Sequence, residues 1–259
     1  MPIEIVEPEM TGLNAERLAR IPAYFDTYVE KGKLPCVAAL VARGGQVAHL
    51  SFRGATEMGG SRPIDENTIY RIYSMTKPIT SVAAMMLFEE GLLRLDHEVF
   101  RYIPEFQDTM VMGEDGKLVK PDRPMTVRDL FLHTSGLTYS FIVQTPVDEI
   151  YRQRKIDHMS WKGDLKSFCE ALAAAPLVFS PGEKWNYSNS TDVLGRVVEV
   201  ASGMTLDRFF ETRIFAPLGM KDTGFHVPAD KIDRLMACYR RDPNTGVITL
   251  ADPGGAKSI

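Results

Sequence analysis

Ile72-Tyr73-Ser74-Met75-Thr76-Lys77-Pro78-Ile79 leads into Val82, Ala83, Met86 and Leu87. From Ile79 onward these apolar positions recur at helical spacing, the stripe of an amphipathic helix. Gly91 suits the left-handed position just past its end. A helix starting at residue 74 puts Ser74 and Lys77 on one face of its first turn, with Cβ atoms about 5–6 Å apart. Serine is a weak nucleophile at neutral pH and needs a base beside it. Unpaired N–H groups at a helix N-terminus favour developing negative charge. The same field, together with burial, favours a lysine amine that can act as a base. Pro78 is tolerated because a first turn does not use its N–H. S-x-x-K nevertheless arises by chance about once in a chain this long, so the pattern needs support from elsewhere.

That support lies more than a hundred residues away. Tyr187-Ser188-Asn189 follows the turn-rich stretch Pro181-Gly182-Glu183-Lys184-Trp185-Asn186 and precedes a helix expected from Ser190. A tyrosine on such a loop can present its phenol to a cleft. Beside a cationic lysine its ionised form is favoured, which makes it a general acid or base. Asn189 offers amide donors and a carbonyl acceptor to a substrate. Taken alone, the same residues read as a polar turn that caps a helix.

Working outward, residues 14–31 read as a helix, with Asn14 as cap and Gly32 as end; Pro22 should kink it or shift its start. Cys36 to Ala42 and Gln46 to Phe52 read as a β-hairpin around Arg43-Gly44-Gly45. Helices are expected at 126–132, 148–156, 164–175, 190–202 and 205–215, punctuated by Pro176, Pro181, Gly182, Gly203, Pro217 and Gly219. A last hairpin joins Ala237–Arg240 to Val247–Ala251 across Asp242-Pro243-Asn244-Thr245-Gly246. The order is hairpin, helices, then strands again. This predicts an α+β chain: 1–73 as the first part of a sheet-plus-helices domain, 74–235 as a mostly helical domain, and 236–259 as an incomplete return to the sheet.

Composition bounds the function classes. The 259 residues are 44% hydrophobic and 25% charged, with net charge −4. Such a chain is globular, and its charge gives no general attraction to nucleic acid or anionic membrane. No apolar run reaches the eighteen or so residues of a membrane span. Cys36, Cys169 and Cys238 form neither a disulfide framework nor a zinc spacing. His49, His97, His158 and His226 show no metal-ligand spacing, so neither metal nor cofactor is expected. The acidic N-terminus lacks the features of a signal peptide, which leads to the expectation of a cytoplasmic protein. Arg152-Gln153-Arg154-Lys155 reads as a solvated helix face, and the thirteen methionines as core or cleft lining.

The two motifs in this order resemble the serine β-lactamase and penicillin-binding-protein superfamily, in the class C form with Tyr-x-Asn. Further stretches are similar to it: Gly91-Leu92-Leu93-Arg94-Leu95-Asp96, Leu130-Phe131-Leu132-His133-Thr134-Ser135-Gly136-Leu137, Phe179-Ser180-Pro181-Gly182 and Pro217-Leu218-Gly219-Met220. Ser-Met-Thr-Lys without a signal peptide resembles the family VIII carboxylesterases. The resemblance implies an antiparallel sheet with flanking helices beside an all-helical domain. It implies that Ser74 forms an acyl-enzyme, that Lys77 and Tyr187 share proton transfer, that Asn189 holds the acyl side of the substrate, and that the Ser74 N–H forms half of an oxyanion hole. His133 is expected in a structural turn.

One departure stands out. The family carries a third motif, Lys-Thr-Gly or an equivalent, on a later strand. Here Lys257-Ser258 is followed by Ile259, so the tail reads as a preceding glycine-rich loop, with the family's remaining strands and C-terminal helix missing. The expected activity is cleavage of small carboxylic esters through an acyl-serine. The alternatives are a β-lactamase, a D-Ala-D-Ala peptidase or an acyltransferase, and, from another class, a truncated non-catalytic scaffold. The partner expected is a small ester or lactam, with self-association through open sheet edges.

Overall fold

The first helical stretch is broken. In the computed structural model, which describes residues 3–142 and 144–258, α1 (Ala15–Leu18) ends at Ala19, and α2 (Arg20–Glu30) begins afresh with Pro22 in its first turn. Asn14 caps α1 by accepting from the Arg17 N–H at 2.9 Å. The hairpin follows as β1 (Cys36–Arg43) and β2 (Gln46–Gly54), antiparallel, with Gly44 and Gly45 both at positive φ (60° and 78°). Two consecutive left-handed residues make the tight turn that matches strand twist, and glycine adopts them without strain.

Next comes α3 (Thr76–Glu89). Ser74 is therefore not inside the helix as the sequence suggested. It sits in a 3₁₀ turn, Tyr73–Met75, that leads into it. Starting the helix at Thr76 puts Pro78 third, where no intrahelical N–H bond is needed. A two-rung ladder, β3 (Val111–Met112) with β4 (Leu118–Val119), was not foreseen; strands of two residues carry no periodicity to read. Then come α4 (Val127–Leu132), α5 (Pro146–Gln153), α6 (Leu165–Ala173), α7 (Ser190–Ser202) and α8 (Leu206–Phe210), which runs through a π-type turn into α9 (Ala216–Leu218). Finally β5 (Cys238–Arg241) pairs with β6 (Ile248–Asp252).

Two units result: residues 1–71 with 225–259, and residues 72–224. The boundaries expected at 73/74 and 235/236 thus differ from the structural ones. Residues 225–235 group with the sheet unit, where Ile69 donates to the Arg234 carbonyl and Met236 donates to the Ile69 carbonyl. In this first unit α2 packs on β1 and β2. Its tail turns through a 3₁₀ segment, Gly255–Lys257, held by Arg71, which bonds Asp252 (2.6 Å), Ser258 Oγ (2.7 Å) and the Met236 carbonyl (2.8 Å). Ile259, part of the tail read above, lies outside the described residues, as do Met1 and Pro2 quoted from the N-terminus.

The helical unit holds the contiguous core. α3 and α4 pack on α7, which buries Val193, Leu194, Val197 and Val198 on one side. Leu87, Leu130, Leu137, Phe209 and Phe210 complete the same cluster. This packing fixes α3 against α7 and, with it, the loops that precede each.

Candidate active site

Ser74 is presented by strain and by packing together. Tyr73, directly before it, is held at φ 41°, a left-handed conformation uncommon for a side chain of this size. The turn exposes Ser74, while Lys77 is half-buried on the first turn of α3. Lys77 Nζ lies 3.3 Å from Ser74 Oγ, so the spacing of three does bring the two groups together. Tyr187, 113 residues later, puts its hydroxyl 2.5 Å from Ser74 Oγ. The Lys77 ammonium also lies over the Tyr187 ring, 4.6 Å from its centroid. Burial pushes the Tyr187 phenol up, but hydrogen bonds from Lys77 and Ser74 and the Lys77 charge outweigh it, and the phenol ionises below its usual range.

The Tyr187 loop is laced to a second loop, residues 133–139. Gly182 and Asn186 donate backbone N–H bonds to the carbonyls of Thr134 (2.7 Å) and His133 (2.9 Å). Asn186 Nδ2 donates to the Leu137 carbonyl at 2.9 Å. At Gly136, φ is +83° and a Cβ would meet the Phe179 carbonyl oxygen at 2.3 Å, so only glycine lets the two loops approach this closely.

Two buried aspartates brace the second loop. Asp129 accepts from the Thr126 N–H (2.9 Å) and hydroxyl (2.7 Å), from Arg123 (2.6 and 2.8 Å) and from the Thr134 hydroxyl (3.0 Å). Burial raises its carboxyl, but the Arg123 guanidinium and the other donors outweigh this and leave it lowered. Asp148, at 0% exposure, accepts from the Thr138 hydroxyl at 2.6 Å and from the Gln144 and Thr145 N–H groups at 2.9 and 2.7 Å. Each aspartate thus starts a helix and pins one end of the loop. The sequence reading missed both, although Thr126-Val127-Arg128-Asp129 and Thr145-Pro146-Val147-Asp148 carry the T-x-x-D capping signal.

Asn189 departs from its expected place. It is 1% exposed, and its Nδ2 donates to the Thr138 carbonyl at 2.8 Å. Its Oδ1 is buried without a partner. One of the two amide N–H groups expected to face a substrate is thus taken by the loop, because Asn189 immediately precedes α7 and is drawn into the packing of that helix.

Aromatic rings surround the hydroxyl pair. Tyr139 lies 5.3 Å and His133 5.0 Å from the Tyr187 ring, centroid to centroid, and the exposed Trp185 stacks at 6.4 Å. Among the described residues, no group of His, Cys, Asp and Glu side chains could hold a metal ion.

The profile of the family described as Beta-lactamase matches residues 21–258. The chain belongs to this family. Esterase EstB of Burkholderia gladioli is 35% identical over 223 residues, covering 85% of this chain and 55% of its own length. Penicillin-binding protein 4* of Bacillus subtilis is 29% identical, over 88% of this chain and 47% of its own length. A solved structure described as EstCE1, a hydrolase with promiscuous acyltransferase activity, superposes with TM-score 0.79 at 29% identity, over 92% of this chain and 60% of that one. The β-lactamase-family chain thus has the β-lactamase/transpeptidase-like fold, with helices and small antiparallel sheets. It spans about half to three fifths of the length of these relatives. No helix among its described residues is long and apolar enough to cross a membrane.

Proposed function

We propose that this β-lactamase-family chain carries the nucleophile and proton-transfer groups of a serine hydrolase that cleaves small carboxylic esters. One observation carries the reading: Ser74 Oγ lies within hydrogen-bonding distance of both the Tyr187 hydroxyl (2.5 Å) and Lys77 Nζ (3.3 Å). The esterase and hydrolase names among its relatives favour an ester over a lactam.

Tyr187, poised toward phenolate by Lys77, takes the proton from the Ser74 hydroxyl as Oγ attacks the carbonyl carbon. Negative charge gathers on the carbonyl oxygen, where the Ser74 N–H supplies one donor; such a donor contributes about 2.7–4 kcal/mol in a transition state. As the ester C–O bond breaks, Tyr187 returns the proton to the departing alkoxide, leaving acyl-Ser74 and free alcohol. Water, deprotonated by the same phenolate, then releases the acid and restores the hydroxyl. Lys77 keeps the phenolate form accessible throughout.

The test is fluorophosphonate labelling of the folded chain, alongside turnover of p-nitrophenyl butyrate. Wild type is expected to take up one label at Ser74, and Ser74→Ala none. Silence in a folded wild-type sample refutes the reading and leaves a non-catalytic scaffold. Nitrocefin or D-Ala-D-Ala hydrolysis exceeding ester hydrolysis, or acyl transfer to an added alcohol in preference to water, moves the assignment to the β-lactamase, peptidase or acyltransferase alternatives.

A further inference from the structure

His133 closes α4 at φ +56° and lays its ring against the Tyr187 phenol. Behind it runs a chain of buried hydroxyls. His133 Nδ1 is 3.3 Å from Ser188 Oγ, Ser188 Oγ is 2.8 Å from Ser190 Oγ, and Ser190 Oγ is 2.7 Å from Ser135 Oγ. At the far end the Leu137 N–H donates to Ser135 Oγ at 3.1 Å. Ser135, Ser188 and Ser190 are all at 0% exposure, closed to bulk solvent.

Counting protons gives the chain a direction. Each hydroxyl has one proton to donate. If Ser135 donates to Ser190, Ser190 to Ser188 and Ser188 to His133 Nδ1, every proton is used and Nδ1 must carry a lone pair. Reversed, Nδ1–H donates to Ser188 and the last proton, on Ser135, has nowhere to go. Among the described residues Ser135 Oγ is hydrogen-bonded to Ser190 Oγ and the Leu137 N–H, and the latter is itself a donor. A buried unpaired donor is costly, so the reversed chain is disfavoured.

We infer that the serine chain holds His133 neutral, with its proton on Nε2, as a positioning residue that packs the Tyr187 ring so that its hydroxyl meets Ser74. This rests on the catalytic reading of Ser74 and Tyr187. The charged and titratable groups facing the imidazole agree with it. From α3 the Lys77 ammonium opposes a second cation, and burial, the larger effect, acts in the same direction to lower the His133 pKa. From the 181–189 loop come the Tyr187 phenol and the neutral Trp185 and Ser188. On its own turn, Asp129 is already engaged by Arg123 and Thr134.

The test is nitrogen NMR of the ¹⁵N-histidine-labelled full chain, with the His133 signals assigned by His133→Asn. Expected is an unprotonated Nδ1 and a protonated Nε2 at neutral pH, with a midpoint below the usual value of about 6.5. Ser188→Ala removes the donor to Nδ1 and, with it, the acceptor of the Ser190 hydroxyl. It should raise that midpoint by about 0.5–1 unit, admit the Nδ1–H form, and slow fluorophosphonate labelling of Ser74 by about fivefold. Ser190→Ala, one link further back, should shift both readouts in the same direction by less. A wild-type His133 protonated at Nδ1 near neutral pH overturns the inference, and this needs no variant to fold. Unchanged tautomer and labelling in Ser188→Ala overturn it as well. If wild type does not label at all, the catalytic reading fails, while the tautomer still decides the state of His133.

Discussion

A phenol at 2.5 Å from a serine hydroxyl, with an ammonium over its ring, is the proton-transfer pair of the proposed mechanism, and its parts can be removed one atom at a time. Tyr187→Phe keeps the ring that packs on His133 and Tyr139 and deletes only the hydroxyl. On the proposed mechanism kcat for p-nitrophenyl butyrate falls by about 10²-fold or more, with a smaller change in KM. An unaffected kcat would reduce Tyr187 to packing. Because the phenol ionises below its usual value of about 10, the active phenolate accumulates as pH rises, and kcat/KM should climb to a plateau with its midpoint under that value. The sequence exposed Ser74, Lys77 and Tyr187 because each sits in a short pattern of fixed spacing. It did not show that Asn189 turns inward, since an amide beside a helix start serves a substrate or a neighbouring carbonyl equally well.

At the scale of elements, the 133–139 loop is a stiff spacer between α4 and the Tyr187 loop, and Asp129 is its main tie. Asp129→Asn keeps the shape but removes the charge that Arg123, Thr126 and Thr134 address. Breaking a fully buried pair costs about 3–5 kcal/mol; Arg123 is 43% exposed and can be rehydrated, so about 2–3 kcal/mol is expected in urea unfolding. The pH sign follows from a carboxyl lowered in the folded state. Its stabilisation is present in full above the unfolded value of about 3.9 and is lost as pH falls through the lowered folded value. Wild type should therefore destabilise more steeply than the variant below about pH 4. Parallel acid curves would remove Asp129 from this role. Helices α3 and α7 were legible because long apolar stripes repeat, whereas the two-residue strands and the start of α3 at Thr76 were not, because moving the start by two residues leaves the stripe unchanged.

Across the whole molecule, burial is uneven. The contiguous cluster of buried apolar side chains lies within the helical unit, from Ala83 to Phe215. The other unit buries few large ones: in β1 no residue is fully buried, and in β2 only Ala48. Local opening is cheapest where few apolar contacts must break. Amide hydrogen exchange should therefore be markedly faster across Cys36–Gly54 than across Ser190–Ser202, and equal protection would contradict this account.

What the sequence determined by itself was a set of candidate groups and the elements that bear them: a serine and a lysine one turn apart, a tyrosine before a helix, and an asparagine and glycines at the ends of helices, all of which act over a few residues of chain. Only the tertiary structure decided that the tyrosine reaches the serine, that two aspartates and three buried serines hold the loop behind it, and that Asn189 faces inward. Those outcomes depend on which hydrogen-bonding groups lose water together when α3, α4 and α7 pack, and desolvation is settled by neighbours in space rather than by neighbours in sequence.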